Sequence, residues 1–231
     1  MERKLLAIIP ARGKSKGIKK KNLYPINGVP LIDFTITAAR DSEVFTDIVV
    51  STDCPDISLY CSKAGVRVID RPKEISGDFA KSEDAISHTL LELQSYHQYF
   101  DDFILLQPTS PLRTANDIKA ALLIYKSSHA DSLVSVCEAE HPFQKGLIET
   151  SDGIKPITTW QDLSSPRQEL QKSFRINGAI YIRSVKEFLQ THSLYSPTLK
   201  VFKMSRDTSL DIDSLSDVAR LEIFLEQKRL S

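Results

Sequence analysis

Short apolar runs alternate with amphipathic stretches along most of the chain. Lys4–Pro10 (K-L-L-A-I-I-P) is apolar without three- or four-residue spacing, the pattern of a strand buried on both faces. A polar stretch, Ala11–Asn22, follows it. From Pro30, which suits a first helical turn, Leu31, Ile32, Thr35, Ile36 and Ala39 share one face of a predicted helix. Asp47–Ser51 predicts a second strand, Pro55–Ala64 a helix and Val66–Ile69 a third strand. Ser82–Leu93 reads as a helix with Ile86, Leu90 and Leu93 in register, opened by Ser82 with Glu83 and Asp84 in its first turn. Phe103–Leu106 and Ser132–Val136 predict strands flanking a helix over Ala115–Lys126.

The rhythm breaks near Glu138–Ser173, where prolines, glycines and Trp160 mix with short apolar pieces such as Leu147–Ile148 and Ile154–Ile157. It returns at Ala179–Ile182 and Thr198–Phe202. A last helix is predicted over Ser214–Lys228, with Leu215, Val218, Leu221 and Leu225 inward and Asp213 or Ser214 as its cap. Strands alternating with helices predict an α/β fold, a doubly wound and mostly parallel sheet whose ligands sit beyond the carboxyl ends of the strands. The expected organisation is one domain over residues 1–231, with 138–175 as an inserted excursion.

With 41% hydrophobic and 26% charged residues, the chain has the composition of a soluble globular protein, and its 3 cysteines cannot close a disulfide framework. No apolar run approaches the roughly 18 residues of a membrane span, and Leu5–Ile9 is too short for a signal sequence. A cytoplasmic protein that does not engage a membrane is therefore expected. The balance of 30 basic against 30 acidic residues hides a segregation: residues 1–22 hold eight cations and only Glu2 in opposition. A cluster at one end suits an anion, or is a solvated basic loop, whereas general duplex nucleic-acid binding would ask for a basic stripe across the domain.

Gly13-Lys14-Ser15 is not a Walker A loop, since Ile8 stands where that pattern needs its first glycine, and Gly13–Gly17 lacks the second glycine of a dinucleotide fingerprint. What remains is a basic loop whose amides can form an anion nest, with Arg12 as a bidentate fork and lysines as point charges. In Asp211-Ile212-Asp213 an extended backbone would turn both carboxylates one way and Ile212 the other; they suit Mg²⁺, or equally a cap and a solvated acid. Gln107–Arg113 (Q-P-T-S-P-L-R) follows a buried strand and so emerges at the ligand edge, which suggests roles there for Gln107 and Arg113. Cys54, Cys61, Cys137 and His141 make no complete zinc framework, and no Ser-His-Asp arrangement can be nominated.

Taken together, Ile9-Pro10-Ala11-Arg12, Ser15-Lys16-Gly17, Lys21-Asn22-Leu23, Ser51-Thr52-Asp53, Arg71-Pro72, Gln107–Arg113, Pro166-Arg167-Gln168, Asn177-Gly178-Ala179-Ile180-Tyr181 and Asp211-Ile212-Asp213 resemble the acylneuraminate cytidylyltransferases. The motifs run in the family's order over essentially the whole chain. The resemblance implies a Rossmann-like nucleotidyltransferase with a dimerisation arm at 138–175, working as a homodimer. The implied reaction joins CTP to a nine-carbon 2-keto sugar acid with release of pyrophosphate. By the same pattern Arg12, Ser15 and Lys21 would hold the triphosphate, Asn22, Arg71 and Ser82 would surround the cytidine, and Asp211 and Asp213 would bind Mg²⁺. Gln107, Lys145, Arg167, Tyr181 and Tyr195 would face the sugar, with the arm's cations reaching the neighbouring subunit's site. Leu194-Tyr195 stands where some sialate enzymes carry two aromatics, so legionaminic acid is as well supported as sialic acid. The alternatives are a GT-A-like glycosyltransferase using Asp-Ile-Asp as its metal motif, which the basic loop disfavours, and a silent nucleotide-binding module.

Overall fold

The computed structural model describes residues 3–77 and 79–230. In chain order, β1 (Leu5–Pro10) leads to a small hairpin, β2 (Pro25–Ile26) and β3 (Val29–Pro30), then α1 (Leu31–Ser42), β4 (Asp47–Thr52), α2 (Pro55–Lys63) and β5 (Arg67–Asp70). Next come α3 (Ser82–Ser95), β6 (Asp102–Leu105), α4 (Ala115–Ser128) and β7 (Ser132–Glu138). The excursion holds β8 (Leu147–Thr150), β9 (Gly153–Pro156) and α5 (Trp160–Ser164). The chain then closes with β10 (Phe174–Ser184), α6 (Val185–Thr191), β11 (Lys200–Met204) and α7 (Leu215–Leu230).

The central sheet has seven strands in the order β11-β7-β10-β6-β1-β4-β5. Why β1 reads as an unbroken apolar run is visible in its contacts. Leu5, Ala7 and Ile9 point to one face, where α1, α2 and α4 supply Ile36, Ile57, Cys61, Ile118 and Leu122. Leu6 and Ile8 point to the other, against Ile86, Leu90 and Leu93 of α3 and Phe188 of α6. Burying both faces leaves no polar position in the strand, as expected for a doubly wound sheet.

Pairings of β1 with β4 and β6, of β4 with β5 and of β7 with β11 are parallel, but β10 is antiparallel to both β6 and β7. The reason lies in the excursion. The chain leaves the sheet at Glu138 and re-enters at Phe174, its register partner, so the returning strand runs back along β7. That return begins earlier than the predicted Ala179, and the apolar signal was weakened by a register shift between Ile176 and Tyr181. As expected, α3 begins at Ser82; Lys81 precedes it at the cap position, its N–H donating to Asp84 Oδ2 at 3.2 Å. One smaller expectation is corrected: Leu215 is exposed rather than inward, and among the described residues of α7 only Val218 and Leu221 are fully buried.

The strand order reverses between β1 and β6, the place where open α/β sheets carry their ligands. A third, smaller core sits beside that point. Ile18, Ile26 and Leu31 from the start of the chain pack there with Leu112, Ile212, Val218 and Leu221. It fixes the basic loop and the Asp-Ile-Asp segment to each other across most of the sequence. No helix among the described residues is long and apolar enough to cross a membrane.

Candidate active site

The basic loop leaves β1 and is held from three sides. Ala11 N–H extends the pairing to Ser51 O at 2.9 Å, and Gly13 N–H donates to Asp53 Oδ1 at 2.7 Å. Asn22 Nδ2 donates to the Arg12 carbonyl at 3.0 Å, bending the loop back on itself. Arg12 reaches the Gly77 carbonyl at 3.2 Å. Lys20 adopts the left-handed conformation at φ 53°, and the following 3₁₀ turn, Lys21–Leu23, aims Lys21 at the far end of the chain.

There Lys21 Nζ donates to the Ile212 carbonyl at 2.8 Å and to Asp213 Oδ1 at 2.9 Å. A Cβ on Gly17 would collide with the Asp213 carbonyl, so only glycine lets the two segments approach this closely. Ile212 is fully buried in the third core, and its N–H donates to Thr109 O at 2.9 Å. The two carboxylates therefore face solvent around a buried isoleucine, as the alternation suggested.

A cavity of about 300 Å³ opens beyond the ends of β1, β5 and β6. Arg12, Ser15, Lys21, Asn22, Arg71, Ser82 and Gln107, all singled out from sequence, line it together. Lys14 and Lys81 also line it and escaped that selection, Lys14 because it read as a solvated loop charge and Lys81 because nothing marked it beyond preceding a helix. The lining thus carries five cationic side chains and no carboxylate among the described residues. Such a wall, with the amino end of α3 beside it, favours a multiply charged anion. Arg71 is buried, donating from Nε to Ser51 Oγ at 3.1 Å and from Nη2 to Ser51 O at 2.6 Å. Desolvation lowers its pKa from the ordinary value, while the charge of Asp53 works the other way. The Ser51-Thr52-Asp53 segment thus positions both Arg71 and the loop.

Asp211 lies beside this cavity rather than in its lining. Partial desolvation raises its carboxyl above the ordinary range; a hydrogen bond from Thr109 opposes that rise and the charge of Asp213 adds to it. Two crowded hard-oxygen donors fit Mg²⁺, and since no group of three or more Cys, His, Asp or Glu gathers among the described residues, such an ion would complete its shell with ligand oxygens and water.

Past Gln107 the site continues toward β10. Gly178 has φ +78°, and a Cβ there would lie 2.5 Å from Gln107 Oε1. The Asn177 side chain secures this turn: its Oδ1 accepts from Ser135 Oγ at 2.6 Å and its Nδ2 donates to Ser209 Oγ at 2.8 Å. Tyr181 is almost fully buried; desolvation raises its pKa, with Tyr195, Asp211 and Glu83 adding to the rise. Tyr195 is 44% exposed, but Leu194 is 4% exposed and belongs to the core beneath. Of the predicted pair only Tyr195 faces outward.

Arg113 corrects the expectation of a ligand contact. Its guanidinium is buried under the loop, where Nη1 donates to the Gln107 carbonyl at 3.2 Å and to the Ala179 carbonyl at 3.0 Å, and burial lowers its pKa to about 9. It braces the two segments that carry Gln107 and Tyr181. Lys145 and Arg167 do not line the cavity. Lys145 Nζ instead donates to the carbonyls of Leu163 and Ser165 within the excursion.

Residues 6–230 match the cytidylyltransferase family. The N-acylneuraminate cytidylyltransferase of Streptococcus agalactiae serotype III (strain NEM316) is 37% identical over 219 residues, covering 93% of this chain and 51% of its own length. This chain therefore spans about half of that relative. The CMP-N,N'-diacetyllegionaminic acid synthase of Legionella pneumophila is 35% identical over 96% of this chain and 97% of its own. In fold, the structure of CMP:2-keto-3-deoxy-manno-octonic acid synthetase complexed with CTP superposes with a TM-score of 0.73 at 16% identity, covering 97% of this chain and 99% of that one.

Proposed function

The chain belongs to the cytidylyltransferase family, and from that premise we propose that it joins CTP to a nine-carbon 2-keto sugar acid, forming the CMP-sugar and pyrophosphate. The observation that carries this reading is the convergence of Arg12, Ser15, Lys21, Asn22, Arg71, Ser82 and Gln107 on one cavity lined by five cations. A triphosphate needs such a wall; a glycosyltransferase handling a diphosphate-sugar needs less of it. In the reaction the anomeric hydroxyl oxygen bonds to the α-phosphorus while the bond from that phosphorus to the bridging oxygen breaks, the hydroxyl loses its proton, and pyrophosphate leaves with the electron pair.

Arg12, Lys21 and the amides around Ser15 hold the triphosphate, and Asn22, Arg71 and Ser82 frame the cytidine. Gln107, Tyr181 and Tyr195 orient the sugar acid so that its hydroxyl approaches in line. Mg²⁺ on Asp211 and Asp213 would neutralise phosphate oxygens and ease deprotonation of the hydroxyl. Lys21 already bonds Asp213 and so holds the phosphate loop beside the proposed metal ligands.

The excursion is proposed as a dimerisation arm. Leu147, Ile148, Ile154, Ile157 and Trp160 are all exposed on it, a run of apolar surface that solvent does not explain. Its Lys145 and Arg167 would serve the partner's sugar carboxylate and phosphates. Three free cysteines suit a reducing cytoplasm. The test is incubation with CTP, Mg²⁺ and each nonulosonic acid while following pyrophosphate. Release with at least one sugar is expected; a folded protein that releases none overturns the reading.

A further inference from the structure

Resting on that reading, we propose that Glu83 is a specificity-determining residue of the sugar-acid site, accepting a hydrogen bond from an N–H or O–H group on the tail of the substrate. Glu83 immediately follows Ser82, which lines the nucleotide cavity, in the first turn of α3. It is half-buried, and no hydrogen-bond donor among the described residues reaches its carboxylate. Capping does not use it, because Asp84 already accepts from the Lys81 N–H.

Its direction follows from the helix. Glu83 and Ser87 are four residues apart and share a face, and Ser87 Oγ lies 3.2 Å from His192 Nδ1 at the end of α6. Two residues after His192, buried Leu194 pins the loop, and the next residue, Tyr195, turns outward. The Glu83 charge bears on both Tyr181 and Tyr195. Two phenols and the Gln107 amide, none bonded through its side chain to another described residue, thus share this region with an acceptor-only carboxylate. A carboxylate here repels the acid end of a 2-keto sugar acid and attracts its donor-bearing end. The substrate is thereby oriented with its acid toward the cations and its hydroxyl or acylamino groups toward α3.

The experiment compares Glu83→Ala and Glu83→Gln with the parent, measuring kcat and KM for N-acetylneuraminic acid, for N,N'-diacetyllegionaminic acid and for CTP. Glu83→Ala is expected to raise the sugar KM by about ten- to a hundredfold, the range of a charge-assisted hydrogen bond, with CTP KM and kcat held within about threefold. Glu83→Gln, which keeps an acceptor oxygen, should recover part of the loss. A loss confined to the diacetamido sugar assigns the donor to the acylamino group that the other sugar lacks, and an equal loss assigns a group common to both. Unchanged sugar KM in Glu83→Ala overturns the proposal, as does a matching rise in CTP KM, which would mean that only the start of α3 had been disturbed. Failure of the parent with every sugar overturns the functional reading itself, a different result from a parent that works and a variant that matches it.

Discussion

The ligand edge of the sheet and the excursion at 138–173 are built on opposite plans. At the ligand edge, segments far apart in sequence hold one another: Lys21 bonds residues 212 and 213, Asp53 holds Gly13, Asn177 holds Ser209, and a shared core of Ile18 and Ile212 lies beneath. The excursion is tied mainly to itself, through the β8–β9 hairpin and the Lys145 contacts, and it leaves Ile154 64% and Trp160 67% exposed. The lesson is that similar apolar content serves different ends. In the first region burial sets the position of polar groups to within hydrogen-bonding distance; in the second, apolar groups stay exposed, as the proposed dimerisation arm requires.

Substitutions can break that contrast. The largest effect is expected from Asp211→Asn, which should lower kcat by about 10²–10³-fold with little change in CTP KM, since a contact that strengthens toward the transition state acts on turnover. Its stability should move the other way. The folded protein holds the Asp211 proton more tightly than the unfolded chain does, so the stability this group contributes is present below the ordinary carboxylate pKa and lost as pH rises through its raised value. Asp211→Asn should therefore melt higher than the parent at neutral pH, and the gap should close on acidification. Mg²⁺ should raise the melting temperature of the parent more than that of the variant. A variant that melts lower at neutral pH would show that the carboxylate is not strained there.

Next in size is Gly17→Ala. Because its methyl group meets the Asp213 carbonyl, the loop must shift, and a displacement near 1 Å costs about a hundredfold in kcat/KM together with about 1–3 kcal/mol in stability. Parent-like kinetics would mean that loop and acidic segment are not coupled. On the other side of the comparison, the pair Ile154→Asp and Trp160→Asp should halve the mass seen by light scattering while leaving the circular dichroism spectrum of the fold in place. An unchanged mass overturns the proposal that the excursion is a dimerisation arm. The smallest effect is expected from Leu194→Phe. Overpacking the core should cost about 1–3 kcal/mol in a denaturation experiment, with the ratio of kcat/KM between sialic and legionaminic acids unaltered.

Much of the ligand edge was legible in advance because its chemistry is concentrated in loops directly after apolar strands. Ile9-Pro10 announces the end of β1, so Arg12 through Asn22 had to emerge there; the same logic placed Gln107 after β6. Arg113 was misread for a physical reason. A charged residue near a site suggests an exposed contact, yet its guanidinium is buried and Nη1 bonds two backbone carbonyls that only the folded sheet brings together. Leu194 shows the reverse: next to Tyr195 in sequence, it looked like half of a wall, but a bend at Leu194, closed by the Tyr195 N–H donating to Ser193 Oγ, turns one side chain inward and the next outward. Glu83 had an adequate local explanation as a first-turn acid, so nothing in the sequence alone directed it toward Tyr181 and Tyr195. The antiparallel course of β10 depended on where an irregular excursion re-entered, which has no periodic signature.

The bond between Lys21 and the Ile212–Asp213 segment joins residues 191 and 192 positions apart. During synthesis at roughly 5–20 residues per second, the basic loop leaves the ribosome some 10–40 s before the segment that anchors it. Through that interval its lysines have no partner from the acidic segment, and Ile18 lacks the isoleucine on which it will rest. A nascent chain in which β1, β4 and β5 have already paired can hold Gly13 on Asp53 but still lacks the anchor for Lys21. On the function proposed above, the last support of the triphosphate loop therefore arrives late, when Ile212 docks against Ile18.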